Sequence, residues 1–218
     1  MTIKDEWLDP QFVRRWDQDP PATNPVRDEQ MDIIVSILEG SYRPGQYILD
    51  IGMGSGQVEE AIFRRIPHAQ VVGIDYSQPM LDLAAERLRP YGHQYVAVKH
   101  DLRDLDSLRL PHTQFQYIVT SQVLHELPHQ DKRRVFALAR RLLAPDGTFL
   151  ITDRVHLPEG YLYDACRAVW QRLRRLHPNP SYASFDDVFR AYQVKEDFPA
   201  TLEEHLSWLR EAGFKAAC

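Results

Sequence analysis

The run Tyr47-Ile48-Leu49-Asp50-Ile51 passes directly into Gly52-Met53-Gly54-Ser55-Gly56, and a helical pattern follows over about 57–66. A short, mostly apolar run without regular alternation reads as a buried strand. Glycines at every second position let the backbone turn sharply behind that strand and approach a ligand that side chains would hold off. Strand, glycine turn and helix in this order commit the chain to an α/β layout with a ligand at the C-terminal end of the strand. The spacing is G-x-G-x-G, with Gln57 where the dinucleotide pattern G-x-G-x-x-G has its last glycine, which counts against NAD or FAD.

The rest of the chain repeats the alternation. Strands are predicted at Gln70–Ile74, Tyr95–Val98, Phe115–Thr120 and Thr148–Thr152. Helices are predicted over 26–39, with Met31, Ile34, Val35 and Leu38 on one face, after the cap Ser77 with Pro79 in the first turn, and over Asp131–Leu143, closed by Pro145-Asp146-Gly147. Thr201–Glu211 is a last helix with a capping-box start. The expected fold is therefore α/β: a Rossmann-like, doubly wound, mostly parallel sheet with helices on both faces. Residues 154–200 break the rhythm with helical stretches over 161–176 and 184–194, separated by Pro178-Asn179-Pro180, and are predicted to form a helical cap inserted after strand five. The segment holding Trp7 and Trp16, followed by the loop Asp19–Pro25, is predicted to dock as a lid. One domain over 1–218 is expected: lid and helix 1–45, core 46–153, cap 154–200, and last helix with the start of a sixth strand 201–218.

Composition narrows the class. Hydrophobic residues at 44% suffice for a core, and a net charge of −5 from 26 basic and 31 acidic residues makes a nucleic-acid partner unlike what this chain would favour. Two cysteines, Cys166 and Cys218, cannot build a multi-bridge framework, so a reducing, cytoplasmic compartment is expected. No run approaches the ~18 apolar residues of a membrane span, and Met1–Pro10 is acidic and polar, unlike a signal peptide.

Several residues carry candidate chemistry. Asp75 ends the second strand, 19 residues after Gly56, the distance at which a carboxylate reaches ribose hydroxyls. Asp101 follows the third strand and could accept a hydrogen bond from an amino group on a base. His125, Glu126 and Asp153 lie at the C-terminal ends of strands four and five, where ligands of open α/β sheets bind. His125 is the best base by its ordinary pKa near 6.5. Tyr161, Tyr163, Trp170 and Tyr182 of the cap read either as an acceptor wall or as core. Arg167, Arg172, Arg174 and Arg175 read either as an anion-binding face or as a solvated one.

In order, these segments resemble the class I S-adenosylmethionine-dependent methyltransferases, closely over 46–153 and in part over 201–214. The resemblance implies that the loop with Asp50, Gly52, Gly54 and Gly56 cradles the methionine part of S-adenosyl-L-methionine. Asp75 would bind the ribose and Asp101 would lie by the adenine, with Tyr76, Leu102 and Ser121 in the same cofactor-binding set. Ser121-Gln122-Val123-Leu124-His125-Glu126-Leu127 would face cofactor and acceptor, with His125, Glu126 and Asp153 as the catalytic candidates. Leu143–Phe149 matches the family's turn before strand five. The resemblance implies a methyltransferase that transfers a methyl group to a small-molecule acceptor by in-line displacement. The protein then mainly orients and desolvates, and a base is needed only for a protonated acceptor. No metal and no membrane are implied, and a monomer or homodimer is expected. Two alternatives stand beside this reading. The layout after strand five is similar to carboxy-S-adenosylmethionine synthases of tRNA modification, although their arginine for the extra carboxylate falls on Trp208. A non-catalytic cofactor-binding module is the other. Family members close the sheet with a sixth and an antiparallel seventh strand, and Phe214–Cys218 holds only the start of the sixth. Roughly 15–20 further residues would complete that pair. The C-terminal strand pair is therefore expected to be incomplete, with the chain cut short or a partner chain over the strand-five edge.

Overall fold

The computed structural model describes residues 3–18, 24, 26–157, 160–176, 184–187 and 197–216. Tyr182, Pro178-Asn179-Pro180, Cys218, most of the loop Asp19–Pro25 and most of the second cap helix lie outside the described residues. The strands are β1 (Ile48–Ile51), β2 (Val71–Asp75), β3 (Tyr95–Lys99), β4 (Phe115–Ser121) and β5 (Leu143–Thr152). The helices are α1 (Pro10–Gln18), α2 (Arg27–Ser41), α3 (Gln57–Arg65), α4 (Gln78–Arg87), α5 (His129–Leu142), α6 (Tyr161–Leu176) and α7 (Leu202–Glu211).

The strands form one parallel sheet in the order β3-β2-β1-β4-β5. Successive residues of a strand point to opposite faces, and here both faces are covered. Ile48 joins Ile34, Leu38, Ile62 and Phe63 in one core, under α2 and α3. Leu49 and Ile51 join Val135, Phe136 and Leu142 in the other, under α5. That double covering is why all four residues of β1 are buried. The sheet order reverses at β1, so β2 and β4 leave it in opposite directions and open a crevice above their C-terminal ends.

Local chemistry sets the element ends. Ser77 caps α4 by accepting from the Met80 amide at 3.2 Å, and Pro79 sits in the first turn, where a missing N–H costs nothing. Thr201 and Glu204 complete the reciprocal capping box of α7. β5 begins at Leu143 instead of Thr148: Phe115 pairs with Leu143 and Tyr117 with Thr148, so Ala144–Gly147 bulges out of the ladder. Pro145 has no N–H to donate there, which favours the bulge. The insertion after β5 closes on itself at its base. Val155 bridges Ala200 in parallel, and the His156 amide donates to the Ala200 carbonyl at 2.8 Å. Among the described residues the sheet ends at β5, and no sixth strand is present. Phe214 instead rests on Phe149, with ring centroids 5.8 Å apart.

Thr201→Ala removes the capping box and should lower stability by about 1 kcal/mol. Urea unfolding should show a lower midpoint with an unchanged slope.

Candidate functional site

The crevice at the strand-order reversal is lined by Gly52 and Gly54 from the loop after β1, Asp75 and Tyr76 after β2, Asp101 and Leu102 after β3, and Ser121 and Glu126 after β4. Residues separated by more than 70 positions in sequence thus share one surface. Gly52 has φ +85°, and a Cβ on it would lie 2.2 Å from the Val123 Cγ2, so neither backbone nor space admits another residue. Gly56 caps α3 in the left-handed region, and a Cβ there would meet Leu88 Cδ1 at 3.0 Å. Gly56 therefore lies outside the lining and seats the helix. The loop is clasped to β2: the Gly52 and Met53 amides donate to the Ile74 carbonyl at 2.8 and 2.9 Å. The Gly54 amide donates to Asp75 Oδ2 at 2.9 Å, and the Ser77 amide to Oδ1 at 2.8 Å.

The carboxylates divide by partner. Arg103 Nε donates to Asp101 Oδ1 at 2.9 Å, and this side-chain bond holds the Asp101 carboxyl below its usual range. Asp75 is pushed up by burial, against the two backbone amides. Asp50 lies beneath the loop, outside the lining, against Glu59 of α3. Both side chains are fully buried, and none of their four oxygens has a hydrogen-bond partner among the described residues. Burial pushes Asp50 up to about 7 and Glu59 well above its ordinary value, since two adjacent carboxylates cannot both ionise there.

The sequence pattern missed three contributors. Trp7 and Trp16 line the crevice as a docked lid, edge to face at 5.4 Å, but the residue that fastens the lid was not singled out. Asp17 of α1 accepts from Ser55 Oγ at 2.5 Å, Gln57 Nε2 at 2.7 Å and Arg87 Nη2 at 2.8 Å. Burial opposes its charge, yet these bonds hold its carboxyl below the usual value. Arg27 lines the crevice, donates Nε to Gln57 at 2.9 Å, and lies over the Trp16 ring at 5.3 Å. A signal existed for Arg27: it stands one turn before Met31 on the apolar stripe of α2, where a buried cation is unexpected. Gln122, also in the lining, adopts φ +59°, which no sequence cue announces.

At the β4 end the three predicted residues part company. His125 and Asp153 come together, Nδ1 to Oδ1 at 2.6 Å, both nearly fully buried, and neither lines the crevice. The His125 carbonyl accepts from the Phe198 amide at 2.6 Å, and Lys132, with no exposed surface, donates to the Phe198 carbonyl. Burial brings the Lys132 ammonium down to about 8. This polar knot ties the returning end of the cap insertion to the sheet. Glu126 faces the crevice. Trp208 packs between His129 and His205 in the core under α7, away from the lining. Arg167 of the cap lies near Asp164 at 3.7 Å and Asp186 at 3.6 Å, so its charge is offset locally.

Residues 48–147 match a family model described as "Methyltransferase domain". A methyltransferase from Aspergillus campestris is 32% identical over 126 residues, 53% of this chain and 36% of its own length. A demethylmenaquinone methyltransferase from Lactobacillus johnsonii is 31% identical over 140 residues, 63% of this chain and 54% of its own length. The phosphoethanolamine N-methyltransferase 2 of Haemonchus contortus, solved with phosphomonomethylethanolamine and S-adenosylhomocysteine, superposes with a TM-score of 0.69 at 18% identity, covering 99% of this chain and 45% of that one. The chain thus spans about half or less of the proteins it matches. Fold and crevice define a Rossmann-like α/β domain with its ligand site at the strand-order reversal. Over residues 48–147 the sequence is similar to that methyltransferase-domain family, and the solved structures share its fold.

Because Asp50 and Glu59 have folded pKa values above the ordinary 3.8 and 4.5, they favour the folded state fully below those values, and that contribution is lost as pH rises through the folded ones. The melting temperature of the native chain should therefore fall between about pH 5 and about pH 8. Glu59→Gln should flatten that fall, as read by thermal circular dichroism at each pH.

Proposed function

We propose that the chain is an S-adenosyl-L-methionine-dependent methyltransferase that acts on a small-molecule acceptor. The carrying observation is the single crevice that unites the glycine loop, Asp75, Asp101 with Leu102, and the turn after β4. The residues fit the cofactor. Gly52, Gly54, Asp75 and Asp101 line one crevice together, and Arg27 in the same lining forms no ion pair among the described residues. When bound, the cofactor supplies a methyl group on a positively charged sulfur leaving group.

The chain's own groups bind, orient and exclude water. Gly52 and Gly54 present bare backbone to the methionine part, and Arg27 faces its carboxylate with a guanidinium suited to that shape. The Asp75 carboxylate, fixed by two amides, accepts from ribose hydroxyls. Tyr76 and Leu102 flank the base, with Asp101 at its amino edge. Trp7 and Trp16 close the lid over the site and shed water from it. Ser121 and Glu126 face the reacting end, whereas His125 and Asp153 hold the turn that carries Glu126. The whole chain over 1–218 works as one domain in this reading. Cysteine usage and acidic charge support a cytoplasmic monomer or homodimer. Among the described residues no helix is long and apolar enough to cross a membrane.

Titration calorimetry of the full chain with S-adenosyl-L-methionine and with S-adenosylhomocysteine tests the reading. One-to-one binding of both is expected, and Asp75→Ala should weaken each about tenfold or more, or about 1.4 kcal/mol. Absence of binding to either compound would refute the proposal.

A further inference from the structure

The crevice has one unpaired cation and one unpaired anion among the described residues. Asp75 is held by the Gly54 and Ser77 amides, Asp101 is held by Arg103, and His100 Nε2 lies 2.5 Å from the Asp104 carbonyl. Arg27 forms no ion pair, and the proposed cofactor carboxylate answers its charge. At the other end stands Glu126. Its amide is used, donating to the Val123 carbonyl at 3.1 Å, but its carboxylate makes no hydrogen bond or ion pair.

The backbone aims Glu126 at the crevice. Gln122 turns left-handed with its amide on the Thr152 carbonyl at 2.8 Å, and Leu124 and Leu127 bury on either side of the turn. The neighbouring His125 is consumed by Asp153 and by Phe198. A half-buried carboxylate in the crevice lining near Tyr76, with no hydrogen bond or ion pair at contact distance, is left able to receive a charged ligand group. Burial also raises its proton affinity. An aromatic face and a carboxylate together suit an organic cation.

We propose that Glu126 is the acceptor-binding carboxylate and that the acceptor is a small organic amine, bound as its ammonium ion. The inference rests on the cofactor reading above and names the substrate class for that same site. In the step, one ammonium proton passes to the Glu126 carboxylate, which becomes a neutral carboxylic acid. The freed nitrogen lone pair attacks the methyl carbon of the sulfonium. The N–C bond forms as the C–S bond breaks, and its electron pair stays on sulfur as a neutral thioether. The methylated nitrogen carries the positive charge.

Calorimetry on the full chain saturated with S-adenosylhomocysteine tests it with matched pairs: ethanolamine against ethylene glycol, 2-phenylethylamine against 2-phenylethanol, tyramine against tyrosol. At least one amine should bind about tenfold or more tightly than its alcohol, and Glu126→Gln should abolish that preference while S-adenosylhomocysteine binding stays within about twofold. Glu126→Asp should restore part of the preference. Equal binding of every pair, a preference for the alcohols, or a preference that survives Glu126→Gln overturns the proposal. A loss of S-adenosyl-L-methionine affinity alone in Glu126→Gln also overturns it, since the carboxylate would then balance the sulfonium. If the native chain binds neither cofactor form, the cofactor reading itself has failed, and this inference with it.

Discussion

Three backbone amides folded back onto the end of β2 hold the site together. The Gly52 and Met53 amides share the Ile74 carbonyl, and the Gly54 amide takes Asp75 Oδ2. This clasp requires a left-handed backbone at Gly52 and leaves no room for a side chain, because Val123 from the turn after β4 fills the space. One glycine thus joins three strands: β1 supplies it, β2 receives its amide, and the turn after β4 packs on its α-carbon. The crevice is the outside of that junction, and its position follows from the sheet order reversing at β1.

Much of the fold was legible because the signals were local. Strand ends, the Ser77 cap and the Thr201 capping box depend on residues within a few positions of each other. Asp75 and Asp101 were legible for a related reason: each ends or follows a strand whose position the pattern predicts. The start of β5 was not, since the bulge at Ala144–Gly147 is set by how the ladder to β4 resumes at Thr148. At the β4 turn, sequence could not decide between the adjacent His125 and Glu126. The decision belongs to Asp153, 28 residues on, and to Phe198 from the returning cap, which together draw His125 inward. Arg27 could have been read from the stripe of α2. Asp17 could not, because its partners Ser55, Gln57 and Arg87 lie 38, 40 and 70 residues away.

Charge is arranged in two layers. The outer layer faces the crevice, and most of its groups are answered by amides or by Arg103. The inner layer, Asp50 with Glu59, has no basic partner in hydrogen-bond contact among the described residues, and burial raises the proton affinity of both. A proton held by the pair removes one of the two negative charges from beneath the glycine loop. An ionised pair there would set a second negative charge behind Asp75 and weaken the attraction for anything anionic bound near Arg27.

The lid and the returning end of the cap insertion are fastened differently. The lid is fastened by Asp17, whose ion pair with Arg87 has side chains 14% and 20% exposed, respectively. The cap's return is fastened at Phe198, whose amide donates to the carbonyl of the buried His125 and whose carbonyl accepts from Lys132, which has no exposed surface. Releasing Phe198 would strand the fully buried Lys132 ammonium without its acceptor, which is costly for a charged group. Opening the lid exposes Asp17 and Arg87 to water that rehydrates both. The segment of Trp7 and Trp16 is therefore held by the less costly of the two attachments to break.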